Sequence, residues 1–253
     1  MRMHSVSILN NRLLSFTAIT ALLYSALSLI LLYNFDTEVL GVNAFIKPLK
    51  FGISAAALFL FLSWYSNFVP RLKRKAFDRF VFLNIGVMAF ELSWIMIQAS
   101  RGTLSHFNTN TLLEEIMFGL MGIAIAVSTA WTWILFRWTF RSDFRMVPGI
   151  LWSVRFGILY FIVFGFSGFI MGAQLNHYVG AELSDTGLPV LGWSTTAGDL
   201  RIPHFFGLHA IQLLPLLSHV LRTKALGSVL IALIYGACCI FLLYLALLGQ
   251  SPL

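Results

Sequence analysis

Four histidines fall close to the ends of long apolar runs, where their imidazole groups could do chemistry. They are His106, His177, His204 and His209. A neutral imidazole binds transition metals and exchanges protons near neutral pH. His209 and Gln212 share a helical face, whereas His204 and His209 point about 140° apart around a helix and make a poor ligand pair. We predict a metal site built from three of the four histidines, with zinc and haem iron as the candidate metals.

Two carboxylates and one arginine supply candidate catalytic groups, of which one carboxylate lies near the middle of the membrane and the other two groups near the same boundary. The three candidates are Glu91, Glu115 and Arg101. Glu91 lies inside an apolar run, where a carboxylate either takes a proton or finds a cation, and Arg155 in a later run is the obvious cation. Glu114 has capping-box spacing from Thr111, so Glu115, on another face, is the better candidate for a base or ligand.

A small set of cations and amides at this boundary is predicted to bind substrate. The set comprises Lys47, Lys50, Gln98, Asn108, Arg201 and Gln212. Asn43, Lys47 and Lys50 fall at positions i, i+4 and i+7, so a helix there presents one cationic face that suits a phosphate or carboxylate. The alternative is that these lysines extend to lipid headgroups or pair with nearby acids.

The elements that must position these residues are membrane helices. The chain has 253 residues, of which 58% are hydrophobic and only 11% charged, so its solvent is a lipid bilayer. The apolar runs are continuous and backbone groups in lipid must be satisfied within their own segment, which favours helices. We predict an all-α bundle with seven spans, near residues 13–33, 51–67, 80–98, 113–136, 149–172, 204–221 and 227–248.

The basic residues predict the orientation of the spans. Twelve of the 17 Lys and Arg residues fall at one set of helix ends: Arg2, Arg12, Arg71, Lys73, Arg74, Lys75, Arg79, Arg137, Arg141, Arg145, Arg222 and Lys224. By the positive-inside rule this set is cytoplasmic, so the amino terminus is inside and the carboxyl terminus outside. The four predicted metal ligands then lie toward the outer face, and an inner (plasma) membrane location is expected.

The rest of the chain adds organisation but little chemistry. The long loop 173–203 contains Leu191, Trp193 and Ile202, which favour an ordered loop over a disordered connector. No internal repeat or soluble domain is evident, so residues 1–253 are predicted to form a single membrane domain. The basic run 70–75 has no aromatic platform around it and is explained by topology, which excludes nucleic acid as a partner.

Three classes of function fit these features. The first, which we favour from the sequence, is a metal-dependent enzyme such as a membrane hydrolase, acting on a lipid-like or small anionic substrate at the outer leaflet through a His/Glu/Arg site. The second is a haem- or quinone-linked electron-transfer protein, which needs histidines on facing elements. The third is a carrier for a small anionic or lipid-like molecule, with Glu91, Gln98, His209 and Gln212 along its path.

Overall fold

The computed structural model describes residue 9, residues 11–183 and residues 187–253. Arg2 of the cytoplasmic set and residues 184–186 of the long loop lie outside the described residues. The described chain is mainly helical, with two short two-stranded ribbons, which confirms the predicted all-α class.

Eight helices carry the predicted spans. They are α1 (Arg12–Asn34), α2 (Ile46–Tyr65), α3 (Arg74–Ser100), α4 (Leu112–Trp131), α5 (Trp133–Trp138), α6 (Pro148–Ala173), α7 (Arg201–Val220) and α8 (Ala225–Leu247). The fourth predicted span corresponds to α4 and α5 together, which are separated only at Thr132, whose hydroxyl donates to the Ser128 carbonyl oxygen. A hydroxyl that bonds back to the preceding turn often bends a helix.

Six stretches of the described chain are long and apolar enough to cross a membrane. They are Arg12–Asn34, Ile46–Phe68, Arg71–Ser100, Leu112–Trp138, Pro148–Ala173 and Ala225–Leu247. The chain is therefore a multi-pass membrane protein in contact with lipid. Helix α7 is more polar and is not among the six, so its crossing of the membrane remains a prediction.

Two helices begin five or six residues earlier than their predicted spans. Helix α2 starts at Ile46 and not at residue 51, and α3 starts at Arg74 and not at residue 80. Pro48 is tolerated because it lies in the first turn, where the backbone N–H has no partner within the helix. Charged residues of the first turns extend these helices beyond the hydrocarbon, since long basic side chains reach water while their stems stay apolar.

The chain separates into two compact units, Met1–Ala124 and Ile125–Leu253, and the prediction of one domain remains untested. In the first unit α1 packs closely on α2 at Gly52, where an added Cβ would lie 2.2 Å from the Ser25 hydroxyl. Strands β1 (Glu38–Val39) and β2 (Val42–Asn43) then form a hairpin between α1 and α2. Its turn residues, Leu40 and Gly41, both have positive φ, as a tight two-residue hairpin requires.

The second unit is organised by α6, which packs against both α7 and α8. Glycines allow the helices to approach: a Cβ at Gly157 would lie 2.7 Å from the Ala210 carbonyl oxygen, and one at Gly236 would lie 2.2 Å from the Tyr160 hydroxyl. Strands β3 (Tyr178–Val179) and β4 (Gly198–Asp199) pair antiparallel and draw together the two ends of the long loop just before α7.

Candidate functional site

The first unit brings two predicted site residues into direct contact. Nζ of Lys47, in the first turn of α2, lies 3.1 Å from Nδ1 of His106, in the loop after α3. The Ser105 hydroxyl lies 3.2 Å from the same nitrogen. Because a lysine ammonium can only donate, the contact makes Nδ1 the acceptor and places the ring proton on Nε2. Lys47, a predicted substrate-binding residue, therefore contacts His106, a predicted metal ligand.

Aromatic rings surround the His106 imidazole. Its centroid lies 5.9 Å from that of Phe51, 6.3 Å from that of Phe107 and 6.2 Å from that of Phe118. Burial among these rings, and secondarily the positive charge of Lys47, holds the pKa of His106 well below its usual value. His106 is therefore a neutral imidazole at physiological pH.

Glu91 is buried in the middle of α3 and lacks a complete set of hydrogen bonds. The residue is 3% exposed, and its Oε1 atom has no hydrogen-bond partner among the described residues. It lies nine residues before the end of α3, which corresponds to about 13 Å along the helix. The charged group that attracts it is the Lys47 ammonium. Glu91, Lys47 and His106 therefore form one chain of interacting ionisable groups, which we call the Glu–Lys–His cluster.

A second network of the first unit ties the end of α3 to the start of α4. Gln98 Nε2 donates to Glu114 Oε1 at 3.3 Å, and Arg101 donates to Gln98 Oε1 at 2.9 Å. Arg101 also lies 3.7 Å from Glu114. The backbone N–H of Glu114 donates to the Thr111 hydroxyl, as the capping-box spacing predicts. Gln98 and Arg101 thus bind protein groups, and their predicted substrate and catalytic roles remain untested.

The remaining predicted residues of the first unit differ widely in exposure. Asn108 is 3% exposed and shapes its loop, because its side chain donates to the Leu104 carbonyl and accepts from the Asn110 N–H. Lys50 is half-buried near the start of α2, whereas Glu115 is exposed at the start of α4. Glu115 directly follows Glu114 in the helix, so its side chain lies on a different helical face, as the sequence predicts.

In the second unit His204 is held in one ring orientation. Its Nδ1 lies 2.7 Å from the Phe164 carbonyl oxygen, which can only accept, so Nδ1 carries the ring proton. The ring packs against Gly168, where an added Cβ would lie 3.0 Å from Cε1. The lone pair of Nε2 remains available, which is the arrangement that metal-binding histidines commonly show.

The other predicted residues of α7 and its approach lie in the same unit. The His209 ring packs against Phe205 with a centroid distance of 4.5 Å and is hydrogen-bonded by Gln212, the residue three positions on. Oε1 of Gln212 is buried and has no hydrogen-bond partner among the described residues. His177, just before β3, packs its ring on Tyr178 at 4.2 Å. His204 and His209 interact electrostatically although they are a poor pair on an ideal helix.

Arg201 forms a clamp that the sequence did not predict. Its guanidinium donates to Asp199 Oδ2 at 2.7 Å, to the Tyr178 hydroxyl at 2.9 Å and to the Gly192 carbonyl oxygen. Asp199 is 1% exposed and also accepts from the backbone N–H groups of Ser194 and Arg201. These contacts join residues 178, 192 and 199 of the long loop to the start of α7. The opposite charges of Asp199 and Arg201, two positions apart, are a sequence signal for their ion pair. The sequence does not indicate the contact with Tyr178, because Tyr178 is distant along the chain.

The histidines do not assemble into a metal-ligand set within the described part of the chain. There, no three His, Cys, Asp or Glu side chains lie close enough together to hold one metal ion. A structural or catalytic zinc site normally uses three or four protein ligands. Zinc and haem iron therefore remain predictions from the sequence.

The site has to be interpreted from its own geometry. A scan against protein-family models, a search of curated proteins and a search of solved structures find no match for this chain.

Proposed function

We propose that the protein is a membrane carrier for a small anionic or lipid-like molecule, and that Glu91 takes up a proton when the anion binds. The observation that carries this proposal is the buried Oε1 atom of Glu91, which has no hydrogen-bond partner among the described residues. The carboxyl group also interacts electrostatically with Lys47, which contacts His106. Intramembrane carboxylates in such settings mark ion and proton pathways.

The coupling follows from the charges of the Glu–Lys–His cluster. With Glu91 ionised, the Lys47 ammonium is already attracted to a carboxylate, and an incoming anion meets a neighbouring negative charge. Protonation of Glu91 removes that repulsion and leaves the ammonium to attract the anion. Neutral His106 contributes an Nε2–H donor without adding charge. Anion binding and proton uptake therefore favour each other.

Proteoliposomes test this proposal directly. The wild-type protein should take up radiolabelled phosphate or succinate faster than protein-free liposomes when the interior is more alkaline than the exterior. Glu91→Gln removes the titrating carboxyl with little change in shape, and we expect it to reduce the uptake to the protein-free rate. Glu38→Gln is the matched control, since Glu38 is exposed in the hairpin between α1 and α2 and should leave the uptake unchanged.

The infrared spectrum provides an independent measurement. The carbonyl stretch of a protonated carboxylic acid should appear as the wild-type protein is titrated toward acid, and one component should be missing from Glu91→Gln alone. If Glu91→Gln has the wild-type spectrum and wild-type uptake, Glu91 does not carry the proton and the proposal is wrong.

One observation favours the metal-dependent alternatives. The proton on Nδ1 of His204 is held by the Phe164 carbonyl, so Nε2 is the acceptor nitrogen, and His209 lies one and a half turns along the same helix. A metal-dependent enzyme or a haem protein would use this imidazole as a ligand. Elemental analysis and the visible spectrum of the purified protein test both alternatives, because either requires about one equivalent of zinc or iron.

We also propose that the protein lies in a cytoplasmic membrane with its amino terminus inside. The support is the uneven distribution of the basic residues, because twelve of the 17 lie at the proposed inner ends of the helices. The Glu–Lys–His cluster would then open toward the outer face.

A further inference from the structure

Arg155 lies in an aromatic groove of the second unit. The groove has a volume of about 170 Å³ and is formed by α5, the residues after it, and one face of α6. Its walls are Phe136, Phe140, Trp152, Phe156 and Leu159. Arg155 is the one polar residue among those that line it, so this groove joins an apolar surface to a single fixed cation.

The Arg155 guanidinium is fixed on two sides. Its Nη2 donates to the Thr139 carbonyl oxygen at 2.7 Å, and its Nε donates to the Thr139 hydroxyl at 3.3 Å. Its central carbon lies 4.0 Å from the centre of the Phe140 ring and 4.8 Å from that of Trp152. Stacking on aromatic rings holds a guanidinium in one plane while its outer N–H groups stay available.

The charge of Arg155 is not neutralised within the described residues. None of the acidic side chains described there lies within ion-pair distance of it, and its Nη1 group makes no hydrogen bond to the described protein. Arg155 is half-buried, so a lone positive charge with unused donors lies beside an apolar groove. Such a group is expensive in a membrane unless an anion meets it.

The depth of the guanidinium matches that of lipid headgroups. Arg155 is seven residues after Pro148, the first residue of α6, which is about 10 Å along the helix. Helical side chains lean toward the amino-terminal end, and the stacking on Trp152 shows that this one does so. The charged group therefore lies about one turn from the start of α6, while Phe156 and Leu159 continue the groove toward the interior of the membrane.

We propose that this groove binds an anionic phospholipid. The phosphate would accept hydrogen bonds from the unused N–H groups of Arg155, and an acyl chain would lie along Phe156 and Leu159. Arginine suits this role because its planar donors match phosphate oxygens, and basic pockets between membrane helices bind acidic headgroups. The lipid would belong to the leaflet that contains the connection between α5 and α6, on whichever side of the membrane it lies.

Native mass spectrometry of the intact protein tests the lipid and its headgroup. Protein released from micelles that contain equal amounts of phosphatidylglycerol and phosphatidylcholine should retain the anionic lipid preferentially. Arg155→Gln should reduce this retention about tenfold, as expected from the loss of one charge-assisted contact. Arg145→Gln is the matched control, because Arg145 is exposed in the same connection and should retain the lipid as the wild type does.

Further measurements keep the proposal falsifiable if Arg155→Gln folds poorly. Phe140→Leu keeps the charge but removes one stacking ring, and it should weaken the retention while the protein remains monodisperse. Equal retention of the two lipids by the wild-type protein, or unchanged retention in Arg155→Gln, would overturn the proposal. So would full displacement of the lipid by millimolar inorganic phosphate, which would identify a free anion as the occupant. An Arg155→Gln variant that changes only the oligomeric state would point instead to a second copy of the chain.

Discussion

His106 lies between an ammonium group and three aromatic rings, and both kinds of neighbour disfavour its charged form. The rings remove water from the imidazole, and the Lys47 ammonium repels a second positive charge. Glu91 experiences the same ammonium as an attraction. At the scale of the residue, Lys47 therefore links a histidine kept neutral with a carboxylate able to exchange a proton.

The lowered pKa of His106 predicts a loss of stability in acid. Below about pH 6.5, the ordinary value for imidazole, the unfolded chain binds a proton at this position while the folded protein does not. The free energy of unfolding should therefore fall as the pH falls through this window, by up to about 1.4 kcal/mol per pH unit. Thermal unfolding in detergent at several pH values measures this loss.

His106→Gln should show a smaller acid loss, because the titrating group is absent. His219→Gln is the control, since His219 is exposed near the end of α7 and its removal should leave the acid loss unchanged. Equal acid losses in the wild type and in His106→Gln would show that the imidazole is not kept neutral by its neighbours.

At the scale of the element, small residues decide which helices come together. Gly157 of α6 faces the backbone of α7 so closely that a methyl group has no room, whereas Gly119 of α4 has open space around its Cβ position. From the sequence alone, both are glycines in apolar helices, and a role in helix packing is predicted for each of them. Only the neighbouring helix distinguishes them.

Alanine substitutions should separate these two glycines. We expect Gly157→Ala to destabilise the protein by about 1 to 3 kcal/mol, because the new Cβ would lie 2.7 Å from the Ala210 carbonyl oxygen and 3.0 Å from the Ile211 Cα. Gly119→Ala should be neutral or stabilising by up to about 1 kcal/mol, the helix propensity difference. Thermal unfolding of the two variants side by side measures both effects, and equal midpoints would contradict the close approach of α6 and α7.

At the scale of the whole molecule, the distribution of basic residues predicts the sidedness of the chain. Six stretches have the length and hydropathy that a membrane crossing needs, and α7 is the predicted seventh. If α7 also crosses, the number of crossings is odd and the two termini lie on opposite sides of the membrane. Its polarity comes largely from residues such as Arg201, His204, His209 and Gln212.

Reporter fusions after Leu253 test the crossing of α7. If α7 spans the membrane and the amino terminus is cytoplasmic, a carboxyl-terminal alkaline phosphatase should be active and a green fluorescent protein at the same position should be dark. The same reporters placed in the connection between α5 and α6 serve as the control and should behave in the opposite way. A fluorescent fusion after Leu253 would show that α7 does not cross or that the orientation is inverted.

The limits of the helices were largely predictable, since a run of apolar residues and its flanking charges are local properties of the chain. The starts of α2 and α3 were placed five and six residues too late because hydropathy detects the hydrocarbon segment and not the charged first turns. For the site, the sequence places Lys47 and His106 near the outer boundary and Glu91 near the middle of the membrane. It does not predict that Lys47 contacts His106 and interacts electrostatically with Glu91.

Helical class, membrane setting and the approximate spans follow from the sequence alone, because backbone groups in lipid must be satisfied within each helix and this requires no knowledge of its neighbours. The tertiary structure decided the partners of the polar side chains. His106 meets Lys47 across 59 positions, His204 meets the Phe164 carbonyl across 40, and Arg155 turns to Thr139 and two aromatic rings. Such contacts depend on how helices and loops pack, and no local pattern encodes them.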